Sequence, residues 1–299
     1  MRIGIFGGTA RRSIDDVVRA AQKTEQDGFA HYTLPQIFGL DAMGMLAVIG
    51  HEVPRIELLT GVVPTYSRHP LTMAQQALTV QAASGGRFSL GIGLSHQIVV
   101  ENMFGLSFEK PVRHMREYLS VLVPLLRDGK ADFDGETIRT HAATDVPELP
   151  PVPVLVAALG PKMLDLTGTV ADGTVTWMTG PATLADYTVP TITAAAERAG
   201  RPAPRIASSL PICLTANADA ARERAAKEFQ TYGFLPSYRA MLDREGAAGP
   251  ADVAIIGDEA TVRAGLARLA DAGVTDFVAS IYGERDDRAA TRALLQSML

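Results

Sequence analysis

The stretch Ile56–Gly93 reads IELLTGVVPTYSRHPLTMAQQALTVQAASGGRFSLGIG and carries the clearest signal of the fold. It contains two short apolar runs, Ile56–Val63 and Phe88–Ile92, with a helix start at Pro70 between them. Both runs are almost continuously hydrophobic and end at glycines or polar residues, which is typical of strands buried on both faces of a parallel sheet. The stretch therefore predicts a strand, a helix and a second strand that lie side by side.

Similar apolar runs recur along the whole chain. Six more runs of this kind are Arg2–Phe6, Ala30–Leu34, Val152–Ala157, Thr174–Met178, Ile206–Leu214 and Asp276–Ile281. Amphipathic helices separate them, and the first has the start signal of a capping box at Ser13 and Asp16 and the stop signal of Gly28. Eight strands that alternate with helices favour an α/β fold of the (β/α)8 TIM-barrel type over an open sheet.

Two segments are too long for ordinary connections between a strand and a helix. They are Glu101–Pro151 and Thr231–Val253, and the first contains a predicted small hairpin over Asp132–Thr140. No repeat, linker or low-complexity run divides the chain. We therefore expect one domain over residues 1–299, with these two segments as insertions on the barrel.

Composition excludes several classes of function. The chain has 28 Lys and Arg against 33 Asp and Glu, a net charge of -5, which argues against a basic nucleic-acid-binding face. Cys213 is the only cysteine, so neither an intrachain disulfide nor a cysteine-based metal site is expected. The apolar run Ile3–Phe6 is too short for a signal peptide, and no run approaches the roughly 20 residues of a membrane helix. We expect a cytoplasmic protein with no metal, no membrane contact and no nucleic-acid partner.

Three familiar motifs begin in the sequence but remain incomplete. A zinc-protease helix would need a second histidine four residues after His51, where Arg55 stands. Gly91–Gly93 starts like a dinucleotide-binding loop, but His96 replaces its third glycine. The same stretch lacks the closing glycine of a nucleophile elbow, because Gln97 occupies that position. Metalloprotease, Rossmann-type and serine hydrolase functions therefore lack a required residue.

Polar residues and glycines gather where four predicted strands end, which is where a barrel places its active site. These ends are Pro35–Ile37, Gly61–Tyr66, Gly93–His96 and Ala158–Lys162. The last of them opens a helix, whose free N–H groups and Lys162 suit a phosphate group. Taken alone, Gly160–Pro161 indicates no more than a turn that starts a helix.

In combination, these stretches resemble the luciferase-like monooxygenase family along essentially the whole chain. Its block from strand 3 to strand 4 is similar to Thr60–Val62, Arg68–Pro70 and Ser84–Gly93. Leu159–Leu164 and Ala171–Gly173 resemble the phosphate loop and next strand of the deazaflavin-dependent branch, which includes methylenetetrahydromethanopterin reductase-type enzymes. Gly257–Asp276 matches the family's last helix and strand.

The resemblance implies a bound coenzyme F420, a small-molecule substrate, hydride transfer at the deazaflavin C5, and a homodimer. It also implies a cis peptide bond between Gly61 and Val62, behind the cofactor ring. Residues at matching positions are expected to bind the cofactor: Gln36, Gly61, Val62, Val63, Pro64, Ser95, His96, Ala158, Leu159, Gly160, Pro161, Lys162 and Met163.

His96 is the best candidate for a catalytic proton donor, because an imidazole titrates near neutral pH. The alternative is a loop histidine that contacts only the cofactor tail or water. The branch's glucose-6-phosphate dehydrogenases carry Asp-His and Glu where this chain has Gln36-Ile37 and His96, so sugar-phosphate chemistry is not expected. Trp177 is expected either to line the pocket or to pack in the core, and His114 to lie on a solvated helix face.

Two other functions stay open. An FMN-dependent monooxygenase could use the same fold, although the Gly160–Met163 loop favours deazaflavin. A non-catalytic cofactor-binding relative could also keep the fold, but it would be free to lose the polar residues at the strand ends, and this chain retains Gln36, Ser95, His96 and Lys162.

Overall fold

The computed structural model describes all 299 residues, and its strands follow the predicted alternation. Twelve strands are present: β1 (Arg2–Phe6), β2 (His31–Leu34), β3 (Glu57–Thr60), β4 (Val63–Pro64), β5 (Phe88–Gly93), β6 (Lys130–Asp134), β7 (Arg139–Ala143), β8 (Val154–Val156), β9 (Gly173–Trp177), β10 (Arg205–Leu214), β11 (Ile255–Gly257) and β12 (Asp276–Ile281).

Eight parallel strands close into a barrel, as the sequence predicts. The order around it is β1, β2, β3, β5, β8, β9, β10 and β12, and β12 pairs with β1 to complete the circle. Register on the closing side sets Ile3 opposite Phe277, and β10 lies parallel to β12 from Ala207 to Ile212. The fold is an α/β TIM barrel with additional strands.

Helices surround the barrel: α1 (Ile14–Gln26), α2 (Ala42–Glu52), α3 (Pro70–Ala83), α4 (Gln97–Asn102), α5 (Pro111–Asp128), α6 (Pro161–Val170), α7 (Pro181–Thr183), α8 (Val189–Arg198), α9 (Ala218–Glu228), α10 (Pro236–Glu245), α11 (Glu259–Asp271) and α12 (Arg285–Gln296). A short π-helical turn spans Leu184–Thr188, and 3-10 turns span Gln230–Gly233 and Pro250–Asp252. None of the helices combines the length and the apolar character needed to cross a membrane.

Helix α1 shows how local sequence sets these boundaries. The Ser13 hydroxyl accepts a hydrogen bond from the Asp16 amide, and the Asp16 carboxylate accepts one from the Ser13 amide. This is the predicted capping box, and it satisfies amides that would otherwise lack a partner at the helix start. After the helix, Gly28 has φ +87°, a conformation that favours glycine and ends the helix there.

The barrel interior is closed at its amino-terminal end. Leu59, Leu155, Val175, Ala207 and Val278 pack against one another inside the strands. Below them, one arginine from β10 binds two acidic residues, with N···O distances of 2.5 and 2.9 Å in the pairs Arg205–Glu57 and Arg205–Asp276. These side chains fill the amino-terminal end, so a ligand site is expected at the carboxyl-terminal end of the barrel.

The structure corrects some predicted boundaries. Ile56–Val63 is two strands, β3 and β4, because the chain bends at Gly61–Val62 and pairing resumes at Val63. The sequence prediction missed β11, which has three residues and pairs only with the overhanging end of β10, Ile212–Leu214. Such a short strand has too few residues to show a recognisable pattern.

The segment Glu101–Pro151 is only partly an insertion. It includes α5, which is an ordinary barrel helix, and the predicted hairpin, which spans the slightly longer strands β6 and β7. The Glu117 carboxylate on α5 accepts hydrogen bonds from the amides of Glu136, Thr137 and Ile138, so one side chain fastens the hairpin turn to the barrel.

Candidate active site

The residues expected to bind the cofactor all lie at the carboxyl-terminal end of the barrel. Gln36 follows β2, Gly61–Pro64 connects β3 to the end of β4, and Ser95 and His96 follow β5. Ala158–Met163 follows β8 and enters α6. We call this end of the barrel, enclosed by the strand ends, the mouth.

Small side chains form the floor of the mouth. A Cβ added to Gly93 would lie 2.7 Å from Val62 Cγ2 and 3.2 Å from Ala157 Cβ. A Cβ added to Gly61 would lie 2.6 Å from Thr33 Cγ2. The peptide bond between Gly61 and Val62 is cis, as the resemblance implies. The floor is therefore closely packed and leaves no space for a side chain at Gly61 or Gly93.

Gln36 is already partly engaged. Its side-chain Oε1 atom accepts a hydrogen bond of 2.7 Å from the backbone N–H of Ala42 at the start of α2. The backbone N–H of Gln36 donates to Val62 O at 3.2 Å. The side-chain Nε2 has only a long contact of 3.4 Å, to Ile37 O. Gln36 therefore joins β2, α2 and the bend after β3, and only its NH2 group is free for a ligand.

His96 stands at the edge of the mouth, as the residue before α4. It is half-buried and its side chain does not cap the helix, so both ring nitrogens are free for other partners. Burial lowers the pKa of His96, which keeps the imidazole neutral at pH 7. The preceding residue, Ser95, has φ +62°, and this sharp turn directs the chain from β5 across the mouth.

The segment Ala158–Met163 divides into a buried and an exposed part. Ala158 and Met163 are buried, whereas Gly160, Pro161 and Lys162 are exposed. No side chain caps the start of α6, and a Cβ on Gly160 would meet no atom within 4 Å. Lys162 forms no ion pair. The first turn of α6 therefore offers uncapped backbone beside a free cation and open space.

An unbroken row of ring side chains crosses the mouth, and we call it the aromatic arc. Phe6 stacks on Trp177 at 5.9 Å, Trp177 contacts Tyr232 at 5.6 Å, Tyr232 contacts Tyr238 at 5.3 Å, and Tyr238 contacts His96 at 5.5 Å, all between ring centroids. Trp177 thus ends β9 beside the mouth and also packs against the hydrophobic core.

Sequence analysis missed the two tyrosines of the aromatic arc. Tyr232 and Tyr238 belong to the long segment Thr231–Val253, whose length marked it as unusual but not as part of the site. Two tyrosines six residues apart within a segment too long for a connection were the available signal.

His114 corrects another expectation. It is half-buried, with its ring stacked 4.0 Å from that of Tyr66 and its Nε2 atom 3.0 Å from Thr65 Oγ1. Burial lowers the pKa of His114 and raises that of Tyr66 to about 12. The expected solvated face was wrong because the first turn of α5 packs against Thr65 and Tyr66, which follow β4.

No charged residue directly follows a barrel strand, and the cation of Lys162 lies further along the chain, at the start of α6. None of the two residues that directly follow each of the eight barrel strands is Asp, Glu, Lys or Arg. No group of three or more His, Cys, Asp or Glu side chains is arranged to hold a metal ion. The site can therefore supply an imidazole, hydroxyls, amides and aromatic faces, but not a pair of carboxylates.

Comparison with known proteins agrees with this architecture. Residues 1–276 match the profile of the luciferase-like monooxygenase family. A 5,10-methylenetetrahydromethanopterin reductase from Methanolobus tindarius is 28% identical over 275 residues, which cover 91% of this chain and 83% of that protein.

Two solved structures share the fold. One is a coenzyme F420-dependent tetrahydromethanopterin reductase from Methanopyrus kandleri, with a TM-score of 0.81 and 23% identity over 99% of this chain and 97% of that one. The other is an F420-dependent secondary alcohol dehydrogenase in complex with an F420–acetone adduct, with a TM-score of 0.83 and 18% identity over 100% and 98%. With the profile match over more than nine-tenths of its length, this chain belongs to the luciferase-like monooxygenase family.

Proposed function

We propose that this luciferase-like oxidoreductase uses coenzyme F420 and transfers a hydride between its C5 atom and a small organic substrate. The observation that carries the proposal is the start of α6, where uncapped backbone, the open space at Gly160 and the unpaired Lys162 suit a phosphate-bearing tail. It lies at the same end of the barrel as His96.

The residues at the mouth fit such a cofactor. Gly61, Gly93 and Ala157 belong to a closely packed floor against which a flat ring could lie. The free NH2 group of Gln36 can donate to a ring carbonyl, and Leu159–Met163 can hold the phosphate through backbone amides. When bound, F420 supplies the hydride chemistry, while the protein holds the ring and excludes competing reactions.

His96 is the group that would exchange a proton with the substrate. It is neutral at pH 7 and has no protein partner at either nitrogen, so it can accept a proton from an alcohol or relay one to a carbonyl oxygen. No carboxylate directly after a barrel strand competes for this role.

The relatives support this choice of cofactor without deciding it. Two proteins of the same fold are F420-dependent by their descriptions, and the reductase from Methanolobus tindarius aligns along most of the chain. The family is described as monooxygenases, and FMN also carries a flat ring and a phosphate. An FMN-dependent monooxygenase is therefore the second candidate.

Cofactor titration distinguishes the two. We expect F420 to bind at least about tenfold more tightly than FMN, measured by the change in deazaflavin or flavin fluorescence, because its longer anionic tail reaches α6 and Lys162. Tight FMN binding with no F420 binding would reject the proposal in favour of the monooxygenase.

A second measurement addresses a non-catalytic relative. Reduced F420 is mixed with a panel of aldehydes, ketones, enones and imines, and its oxidation is followed by absorbance. Binding of F420 with no oxidation by any member of the panel would favour a cofactor carrier. A homodimer belongs to the same proposal, and sedimentation velocity tests it.

A further inference from the structure

One polar corner of the mouth has no partner within the protein. The indole Nε1 of Trp177 is buried and forms no hydrogen bond. Buried polar groups in folded proteins are nearly always hydrogen-bonded, so an unpaired donor beside a binding site indicates a place for an acceptor. Nothing in the hydride-transfer proposal above uses this group.

The position of Trp177 directs it toward the mouth. Val175, two residues earlier on β9, packs inside the barrel, and alternation along a strand places Trp177 on the same inner side, one layer higher. Its ring stacks on Phe6 at the end of β1, with an angle of 14° between the planes. The indole is therefore part of the inner wall of the site.

Tyr232 brings a second donor to the same corner. Its ring meets the indole edge-on, with an angle of 77° and 5.6 Å between centroids. Burial raises the pKa of Tyr232, and a polar contact with the Trp177 indole acts in the opposite direction. The phenol oxygen and the indole N–H are thus neighbours, but the indole N–H forms no hydrogen bond to the phenol, so both groups can donate to the same ligand atom.

The side chains around this corner disfavour the binding of a charged ligand group. The aromatic arc supplies only ring faces and edges, and no ionisable Asp, Glu, Lys or Arg follows a barrel strand within two residues. A charged substrate group would lose its hydration here without gaining a partner of opposite charge. Apolar and aromatic groups would be bound favourably.

We propose that the Tyr232 hydroxyl and the unpaired Trp177 indole N–H both donate hydrogen bonds to the carbonyl oxygen of the substrate, and that this substrate is an uncharged aldehyde or ketone. The proposal rests on the hydride transfer proposed above. A hydride from reduced deazaflavin forms the new C–H bond at the carbonyl carbon, and the π electron pair of C=O moves to the oxygen. The oxygen takes a proton that His96 relays from water, as proposed above, while the hydrogen bonds from this corner stabilise the charge that forms on the oxygen, and the products are an alcohol and oxidised deazaflavin.

Trp177 is the only tryptophan, so its fluorescence reports directly on this corner. The protein, alone and with saturating oxidised F420, is titrated with acetophenone, with 4-acetylbenzoate as the charged analogue and with ethylbenzene as the analogue without a carbonyl. We expect saturable quenching by acetophenone and affinity at least about tenfold lower for 4-acetylbenzoate, because its carboxylate is desolvated without a partner.

Tyr232→Phe isolates the hydroxyl. We expect it to weaken acetophenone binding by about fivefold, in keeping with the loss of one hydrogen bond, and to leave ethylbenzene binding unchanged. Tyr187→Phe, which removes a hydroxyl from the π-helical turn outside the aromatic arc, serves as the matched control and should bind both compounds like the wild type.

Four results would overturn the inference: no acetophenone binding with or without F420, equal or tighter binding of 4-acetylbenzoate, equal loss for ethylbenzene, or unchanged acetophenone affinity in Tyr232→Phe. The comparison of three ligands on the wild type needs no variant to fold. Failure of F420 to bind, measured by its own fluorescence, would instead reject the proposed function, so the two failures are distinguishable.

Discussion

At the scale of single residues, His96 has two possible roles that differ in what its removal does. If it exchanges a proton with the substrate, His96→Gln lowers kcat by about 100-fold or more and changes the Kd for F420 by less than about threefold. If it only contacts the cofactor tail, the Kd rises and kcat is nearly unchanged. Steady-state kinetics of F420H2 oxidation and a fluorescence titration separate these outcomes.

A proton-exchanging role for His96 also predicts that the rate of the reaction depends on pH. Because burial lowers the pKa of His96, its protonated form is scarce at neutral pH, and carbonyl reduction should slow as the pH rises through a value below 6.5. His141→Gln, on the exposed hairpin, is the control and should keep the wild-type profile. A profile that is unchanged in His96→Gln contradicts this assignment.

His31 is a buried titratable residue far from the mouth, with its Nδ1 atom 3.2 Å from Thr33 Oγ1. Burial lowers its pKa to about 4, while the unfolded chain titrates near 6.5. Between these values the unfolded state binds more protons, so the free energy of unfolding decreases as the pH falls from about 6.5 toward 4. By pH 5, His31 alone lowers the free energy of unfolding by about 2 kcal/mol relative to neutral pH.

His31→Gln should remove this part of the pH dependence, whatever its effect on stability at neutral pH. Urea unfolding at about pH 7.5 and pH 5 measures the difference in slope. His96 and His114, whose pKa values are also lowered, leave a smaller slope of the same sign. His51→Gln, at an exposed position, should behave like the wild type, and equal slopes in His31→Gln and the wild type would contradict the prediction.

At the scale of elements, the start of α6 allows stability and cofactor affinity to be changed in opposite directions. Gly160 is the residue before the helix, has φ -83° and has room for a side chain. An aspartate is favoured at this position and stabilises the helix by a few tenths of a kcal/mol relative to glycine. The same carboxylate would repel a phosphate at the helix start.

Gly160→Asp should therefore raise the melting temperature slightly and weaken F420 binding by about tenfold or more. Gly160→Asn offers a similar cap without the charge and should stabilise the protein with a much smaller loss of affinity. Thermal unfolding and F420 titration at low ionic strength measure both effects. Equal affinity for F420 in the Asp and Asn variants would show that the phosphate lies elsewhere.

The elements also show what sequence patterns can and cannot predict. The barrel strands were predictable because continuous apolar runs such as Phe88–Ile92 reflect burial on both faces, and α1 because its capping box is a local signal. The break between β3 and β4 and the three-residue β11 depend on pairing with distant strands, so no local pattern marks them.

The residues of the candidate site also fall into those with a local sequence signal and those placed by contacts between distant parts of the chain. Residues at strand ends, such as Ser95 and Lys162, could be placed at the mouth because a barrel brings all strand ends together. Tyr232 and Tyr238 reach the mouth only because a long segment folds back across it, and His114 is half-buried only because α5 packs on Thr65 and Tyr66. Those contacts join residues far apart in the chain and leave no periodic signal.

At the scale of the whole molecule, the two ends of the barrel are chemically opposite. The carboxyl-terminal mouth is lined with rings and uncharged polar groups, whereas the amino-terminal end holds the ion pairs of Arg205 with Glu57 and Asp276. Asp276 is 1% exposed. Burial alone would raise its pKa, but the hydrogen bonds and charge of Arg205 lower it, so the carboxylate stays ionised.

Stability and cofactor binding should therefore respond to different ends of the barrel. Arg205→Met leaves the buried carboxylate of Asp276 with Arg2 as its remaining arginine partner, and removal of one member of a buried ion pair costs about 3 kcal/mol or more. Urea unfolding should show this loss, while the Kd for F420 of the folded variant stays within about twofold of the wild type, because the interior side chains Leu59, Val175 and Val278 separate the two ends. Arg55→Met removes an exposed arginine paired with Glu25 and should cost less than about 1 kcal/mol. If Arg205→Met weakened F420 binding as strongly as it weakened folding, the two ends of the barrel would be coupled and this separation of roles would be wrong.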